Sequence, residues 1–182
     1  MNSIDDAALF LQDLSADSER ALADTLNAAA ARLRQDAINA ISGRYNLDRS
    51  YVAQNMTVRT RANPKNLESI ISARMRGTML SRFGATQQYK AGKTVPQRTA
   101  GVSVNVVRTN PTKTIEQAFL IRLKRGDNDG GNLGVAIRNS KNRNDYRILY
   151  GMSVHQAFNW YRDELEPSND DLFDDFISRL TL

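Results

Sequence analysis

From Asp17 to Ser42 the chain contains no proline, is rich in alanine, and places apolar residues at Leu22, Leu26, Ala29, Leu33, Ala37 and Ile41, three or four positions apart. That spacing is the period of an α-helix with one face turned to a core. The propensity of alanine agrees with the pattern. A helix this long needs other elements to cover its apolar face, so it predicts a layered domain built against it. Ser15 or Asp17 is the expected start, with residues 3–14 as a separate short helix that has Ser3 as N-cap and Asp5 and Asp6 in its first turn. Gly43 follows the last periodic residue and is the expected C-cap.

Past this helix the period changes. Asp48 has the character of an N-cap for a short helix through about Asn55. Thr57 to Arg61 alternates polar and apolar, Asn63-Pro-Lys65 is a turn, and Leu67 to Met75 carries a β-branched pair, which together predict a hairpin. Residues 84–100 have no period. They hold Gly84, Gly92, Pro96, Gln87 and Gln88 beside Lys90, Lys93 and Arg98, and read as a long exposed basic loop, a candidate subunit-interface arm that orders on assembly. Val102 to Val107 alternates as a strand. Ala118 to Leu123 and Leu133 to Arg138 read as a second hairpin around the turn cluster Arg125 to Gly131, and Tyr146 to Tyr150 as a short strand after a polar loop. Ser153 then caps a helix with Val154, Ala157, Phe158 and Tyr161 on one face. Pro167 ends it, and Ser168 caps a last helix with Leu172, Phe173, Phe176 and Leu180 on its apolar face. The order predicts a single α+β domain over 1–182, a long N-terminal helix packed on a mainly antiparallel sheet, with C-terminal helices.

Catalytic chemistry finds little to use. The chain has no cysteine, which excludes disulfides, thiolate zinc sites and thiol nucleophiles. Its one histidine, His155, stands at the start of a helix without a nucleophile or acid at a suitable spacing. Gly130 to Gly134 lies between two strands rather than between a strand and a helix, the context a phosphate loop requires. Asp170, Asp171, Asp174 and Asp175 form two carboxylate pairs at i, i+4, which suit either a hard cation or the polar face of a helix; the second is the simpler reading. The expectation is a protein that is not an enzyme and takes no cofactor or metal. No run approaches the roughly 18 apolar residues of a membrane span. The N-terminal residues are acidic rather than basic and apolar, so the chain is expected to be made in the cytoplasm, with no membrane partner.

The overall charge of +5 conceals a strong segregation. Residues 1–48 carry 4 basic and 8 acidic side chains, residues 49–147 carry 19 basic and 5 acidic, and residues 148–182 carry 2 basic and 7 acidic. A middle of net +14 between acidic ends can face a polyanion, can meet the acidic ends of neighbouring copies, or can simply be a solvated surface. Arg59, Arg61, Lys65, Arg74, Arg76 and Arg82 lie in or beside the first hairpin and are the candidates for facing DNA or a lumen. Asp170, Asp171, Asp174 and Asp175 make the last helix a candidate acidic interface. None of the basic residues falls in a recognised DNA-reading motif, so binding to DNA would be through its phosphates.

Four segments, in their order and spacing, resemble the minor tail protein Z family of tailed phages, which is related to tail-completion and neck proteins. They are the end of the alanine-rich helix, Arg34 to Arg44; the short helix Leu47 to Val52 running into Val58-Arg-Thr-Arg61 and Ser69 to Arg74; Leu80-Ser-Arg-Phe83 before the basic loop and the strand Gly101 to Val106; and Ala118-Phe119 followed by Val135 to Arg138 and Leu149 to Val154. The resemblance spans roughly residues 25–165 and leaves out the acidic helix 168–182. It implies a virion protein at the head-proximal end of a tail. Such a protein would act in tail completion or head–tail joining, as part of a homo-oligomeric ring around the DNA channel. Its partners would be further copies of itself, neighbouring tail or neck proteins and the genome end. It implies no catalytic residue. The alternative is a sequence-nonspecific DNA-binding protein outside the virion, which would show tight binding and a steep salt dependence.

Overall fold

The computed structural model describes the backbone of residues 3–90, 99–123 and 133–180, and side-chain surroundings from residue 15 onward, residue 99 excepted. Helix α1 runs unbroken from Ser3 to Arg44. The expected break near Ser15 does not occur. No glycine or proline interrupts residues 13–18, and Asp17 pairs with Arg20 across one turn at 3.1 Å instead of capping a new helix. At the other end Gly43 remains helical, with no positive φ. The last carbonyls are met by Arg108 instead. Its Nε donates to Ser42 O at 3.0 Å and Tyr45 O at 3.1 Å, and its backbone N to Arg44 O at 2.9 Å. A cation is well placed at that end of the helix dipole.

The chain continues through α2 (Arg49–Gln54), β1 (Met56–Thr60) and β2 (Ile70–Ala73), then a 3-10 turn at Leu80–Arg82. Strands β3 (Thr86–Tyr89), β4 (Thr99–Val104) and β5 (Lys113–Ile115) follow, then β6 (Ala118–Arg122), β7 (Leu133–Arg138) and β8 (Tyr146–Ile148). Helices α3 (Val154–Leu165) and α4 (Asn169–Leu180) complete the order. The fold is α+β as the periodicities predict. Among the described residues every pairing is antiparallel, and the strands divide into three sheets of order β1-β2, β3-β4-β5 and β6-β7-β8.

Part of the expected 84–100 loop is strand. Glutamine side chains in β3 substitute for the missing apolar period. Gln87 donates through Nε2 to Gly101 O at 2.6 Å and accepts at Oε1 from Leu120 N at 2.9 Å. Gln88 donates to Ser103 Oγ at 2.6 Å. Gln87 thereby joins β4 to β6, one sheet to the next. The rest of that loop, 91–98, lies outside the described residues, as does the turn cluster 125–131.

Two apolar cores lie side by side. Ile38 and Ile41 of α1, Leu47, Val52, Met56, Phe83 and Val154 are at most 1 % exposed and form the first. Val102, Val104, Ala118 and Val135 form the second, and Leu80 packs against both. Helix α3 enters the first core through Val154, Ala157 and Phe158. Its start is fixed by a capping box, in which Gln156 N donates to Ser153 Oγ at 3.0 Å and Ser153 N to Gln156 Oε1 at 2.9 Å.

Candidate interaction surfaces

The first hairpin is held against α1 by two polar side chains. Asn27 donates to Ala62 O and accepts from Ala62 N, both at 2.9 Å. Arg34 donates from Nε to Met56 O at 2.7 Å and from Nη2 to Ala53 O at 2.8 Å. β1 therefore lies on the helix with Met56 buried and Val58 half-buried, while Thr57, Arg59 and Arg61 face outward. The register skips between Val58 and Thr60, which leaves Arg59 as the extra residue of a bulge. The tip is a tight turn in which Asn63 and Asn66 exchange backbone hydrogen bonds at 2.9 Å. Asn63 Oδ1 also accepts from Lys65 N and Asn66 N. Arg59, Arg61 and Lys65 are thus exposed together on the distal part of a braced hairpin.

The other three basic candidates lie elsewhere. Arg74 follows β2 and donates to Asn55 Oδ1 at 3.1 Å, while its carbonyl accepts from His155 N. Arg76 lies over the Tyr150 ring at 5.9 Å, and Arg82 over Tyr51 at 4.2 Å. Tyr51 and Thr78 meet through their hydroxyls at 3.5 Å, so these arginines flank the segment around Thr78 at the base of the hairpin. The structure divides the six into a distal group with no side-chain partner among the described residues and a basal group engaged with aromatic and amide partners. Of the loop candidates, Lys90 is exposed, and Lys93 and Arg98 lie outside the described residues.

The four aspartates of α4 also separate. Asp171 belongs to the helix cap: its N donates to Ser168 Oγ at 3.1 Å, and its carboxylate accepts from Ser168 Oγ at 2.7 Å. Asp175 faces inward, 3.0 Å from Arg179 and 3.9 Å from Arg32 of α1. The inward stripe is Leu172, Asp175, Phe176 and Arg179, with Leu172 and Phe176 half-buried and the Asp175 side chain 21 % exposed. Phe173, expected on the packed face, lies outside it and is 62 % exposed. It shares the outward stripe with Asp170, Asp174 and Ile177.

A third surface did not stand out in the sequence. On β6 the residues Ala118 and Leu120 point into the second core, so Phe119 and Ile121 point away from it. β7 and β8 place Arg138 opposite Tyr146 on that same outer face. Arg138 sits over the Phe119 ring at 5.0 Å, and Phe119 meets Tyr146 edge to face at 6.3 Å. Beside them is a hollow of about 560 Å³ lined by Phe119, Ile121, Arg122, Arg138, Arg143 and Tyr146 among others, with no carboxylate among the described residues of its lining. The nearest acidic group in sequence, Asp145, is held below the usual carboxylate range by hydrogen bonds from Asn139 and then Ser140. The alternation of β6 is the signal that locates this face, once Ala118 and Leu120 are known to point inward.

Among the described residues no group of three histidine or acidic side chains converges to hold a metal ion, and no helix is long and apolar enough to cross a membrane. His155 Nε2 lies 3.2 Å from the Asn159 side chain, one turn on in its own helix. The ion pairs among the described residues are Asp17–Arg20, Arg32–Asp175, Arg162–Asp163 and Asp175–Arg179. Among those residues, no basic side chain of 49–147 takes part. In comparisons with known proteins, no family model, no curated protein and no solved structure matches the chain.

Proposed function

We propose that this chain is a structural protein of a phage tail, set at the head-proximal end. There it acts in tail completion or head–tail joining as one subunit of a ring around the DNA channel. The observation that carries the proposal is the uncompensated charge: the segment of net +14 forms no ion pair among the described residues, while Asp170 and Asp174 point outward on α4. Opposite charges left unpaired within one subunit favour association between subunits, and a surface that meets a different surface on its neighbour closes into a ring when the rotation permits. The distal hairpin supplies a compact cationic point suited to a lumen that carries DNA, through phosphates and without reading bases. The order of elements on which the resemblance to the minor tail protein Z family rests adds to the same reading.

The deciding experiment is cryo-electron microscopy of the intact particle. The expected result is a ring of this chain at the head–tail junction with the Arg59–Lys65 hairpin turned to the channel. Absence of the chain from the particle would reject the proposal and move a nonspecific DNA-binding protein outside the virion to first place.

A further inference from the structure

We infer that the outward stripe of α4, with Phe173 between Asp170 and Asp174, docks into the arginine-lined hollow beside Phe119 and Tyr146 on the β6-β7-β8 sheet of a second copy. The inference deepens the assembly reading above and rests on it; it assigns the two faces that meet.

Each face is incomplete in the isolated chain, in complementary ways. α4 exposes a large aromatic ring with a carboxylate three residues before it and another one residue after. Positions 170, 173 and 174 lie on one side of the helix, within about 5–6 Å of each other at Cβ for the i, i+3 and i, i+4 pairs. Neither Asp170 nor Asp174 forms an ion pair among the described residues. The hollow offers the opposite set: an apolar floor of Phe119 and Ile121, and a rim of Arg122, Arg138 and Arg143. Arg122 and Arg143 are exposed and likewise without a carboxylate partner among the described residues. An aromatic anchor in a pocket, ringed by opposite charges, is the arrangement that fixes both affinity and orientation at protein interfaces.

A nucleic acid is the poorer occupant. Bases bind such sheets by stacking on free aromatic faces. Here the Phe119 ring already carries Arg138 at 5.0 Å and Tyr146 at its edge. That guanidinium keeps hydrogen-bonding capacity for a carboxylate but blocks a base. The two faces also lie on different elements of one chain, so the junction is head to tail and repeats from copy to copy.

The test uses the full chain in two variants. One reverses the helix charges, Asp170→Arg with Asp174→Arg; the other reverses the rim, Arg122→Asp with Arg143→Asp. All four residues are exposed, and circular dichroism checks that both variants keep the native helix content. Wild type should self-associate by sedimentation velocity at low salt, and each variant alone should fall at least about tenfold in association constant. Mixed together, they should associate again, because the intact helix face of one meets the intact rim of the other and the two reversed faces are themselves opposite in charge. Phe173→Ala should weaken association while leaving charge unchanged.

A wild-type chain that stays monomeric at low salt and high concentration would overturn the inference. So would variants that associate as wild type does, a mixture that fails to pair, or rim reversal that lowers retention on duplex DNA without touching self-association. These outcomes are separate from the place of the chain in the virion. A ring at the head–tail junction built through other faces would reject the docking alone, and association without presence in the particle would reject the tail assignment alone.

Discussion

Asn27 of α1 and Ala62, just past β1, exchange two hydrogen bonds of 2.9 Å, the side-chain amide satisfying both backbone groups of one residue. Ala62 is 7 % exposed, so water cannot readily replace the partner. Asn27→Ala leaves a donor and an acceptor without partners and should cost about 2 kcal/mol, in line with removing one side of buried hydrogen bonds. Urea unfolding measures it: the midpoint should fall with the slope unchanged. An unchanged midpoint would mean the hairpin is held by its apolar face alone.

Gly101 has φ +99° within β4. A Cβ there would overlap the Ile115 carbonyl oxygen and lie 2.7 Å from Glu116 Cα. Both obstacles are backbone atoms of the adjacent strand and its exit, and cannot swing aside. Gly101→Ala should therefore destabilise by about 3 kcal/mol. Gly43→Ala is the contrast, since nothing lies within 4 Å of its Cβ position and the residue is helical. That change should stabilise by about 0.5 kcal/mol through the reduced freedom of the unfolded chain. Paired thermal melts check the opposite signs.

Those two glycines also mark what the sequence makes legible. Strong local patterns come through: the helical period from Asp17 to Ser42, the alternation of β1, and the Ser153 and Ser168 caps are local physics and appear where expected. Relations between distant residues do not. Nothing near Gly43 in sequence indicates that Arg108 will meet the end of α1, and polar Gln87 hides a strand because its partners, Gly101 and Leu120, come from other strands. By polarity alone Phe173 belongs on the apolar stripe of α4 and Asp175 does not, yet Arg32 and Arg179 draw Asp175 inward and leave Phe173 outside. Of the basic candidates, only the structure separates Arg59, Arg61 and Lys65 from Arg74, Arg76 and Arg82, because the separation depends on which aromatic and amide groups the basal set meets.

Tyr45 links stability to alkaline pH. Burial pushes its hydroxyl above the ordinary value of 10.0, only partly opposed by the neighbouring Arg44 guanidinium, with Tyr161 adding to the rise. The folded state thus favours the neutral phenol. The corresponding stability is fully present below the unfolded pKa and declines as pH rises through the folded one. The unfolding midpoint should decline as pH rises above about 10, and Tyr45→Phe should flatten that decline. Equal slopes in both proteins would assign the alkaline decline to other groups.

The hairpin arginines make the last prediction, because the division into distal and basal groups gives them different consequences. Arg59 and Arg61 are exposed and have no side-chain partner among the described residues, so replacing both by alanine removes charge and little else. Stability should change by less than about 0.5 kcal/mol. Binding to a DNA duplex at low salt should weaken, with the slope of log affinity against log salt shallower by about 1 for each phosphate that the variant no longer neutralises. Arg82→Ala should do the reverse. Its guanidinium covers Tyr51 at 4.2 Å, and Tyr51 is a member of the first core, so the effect should appear mainly as about 1 kcal/mol of stability. Salt titrations by fluorescence anisotropy on the two variants, each with its own melting curve, compare them directly. If Arg82→Ala alters the salt slope while the Arg59 and Arg61 double variant does not, the cationic point lies at the base of the hairpin and not at its tip.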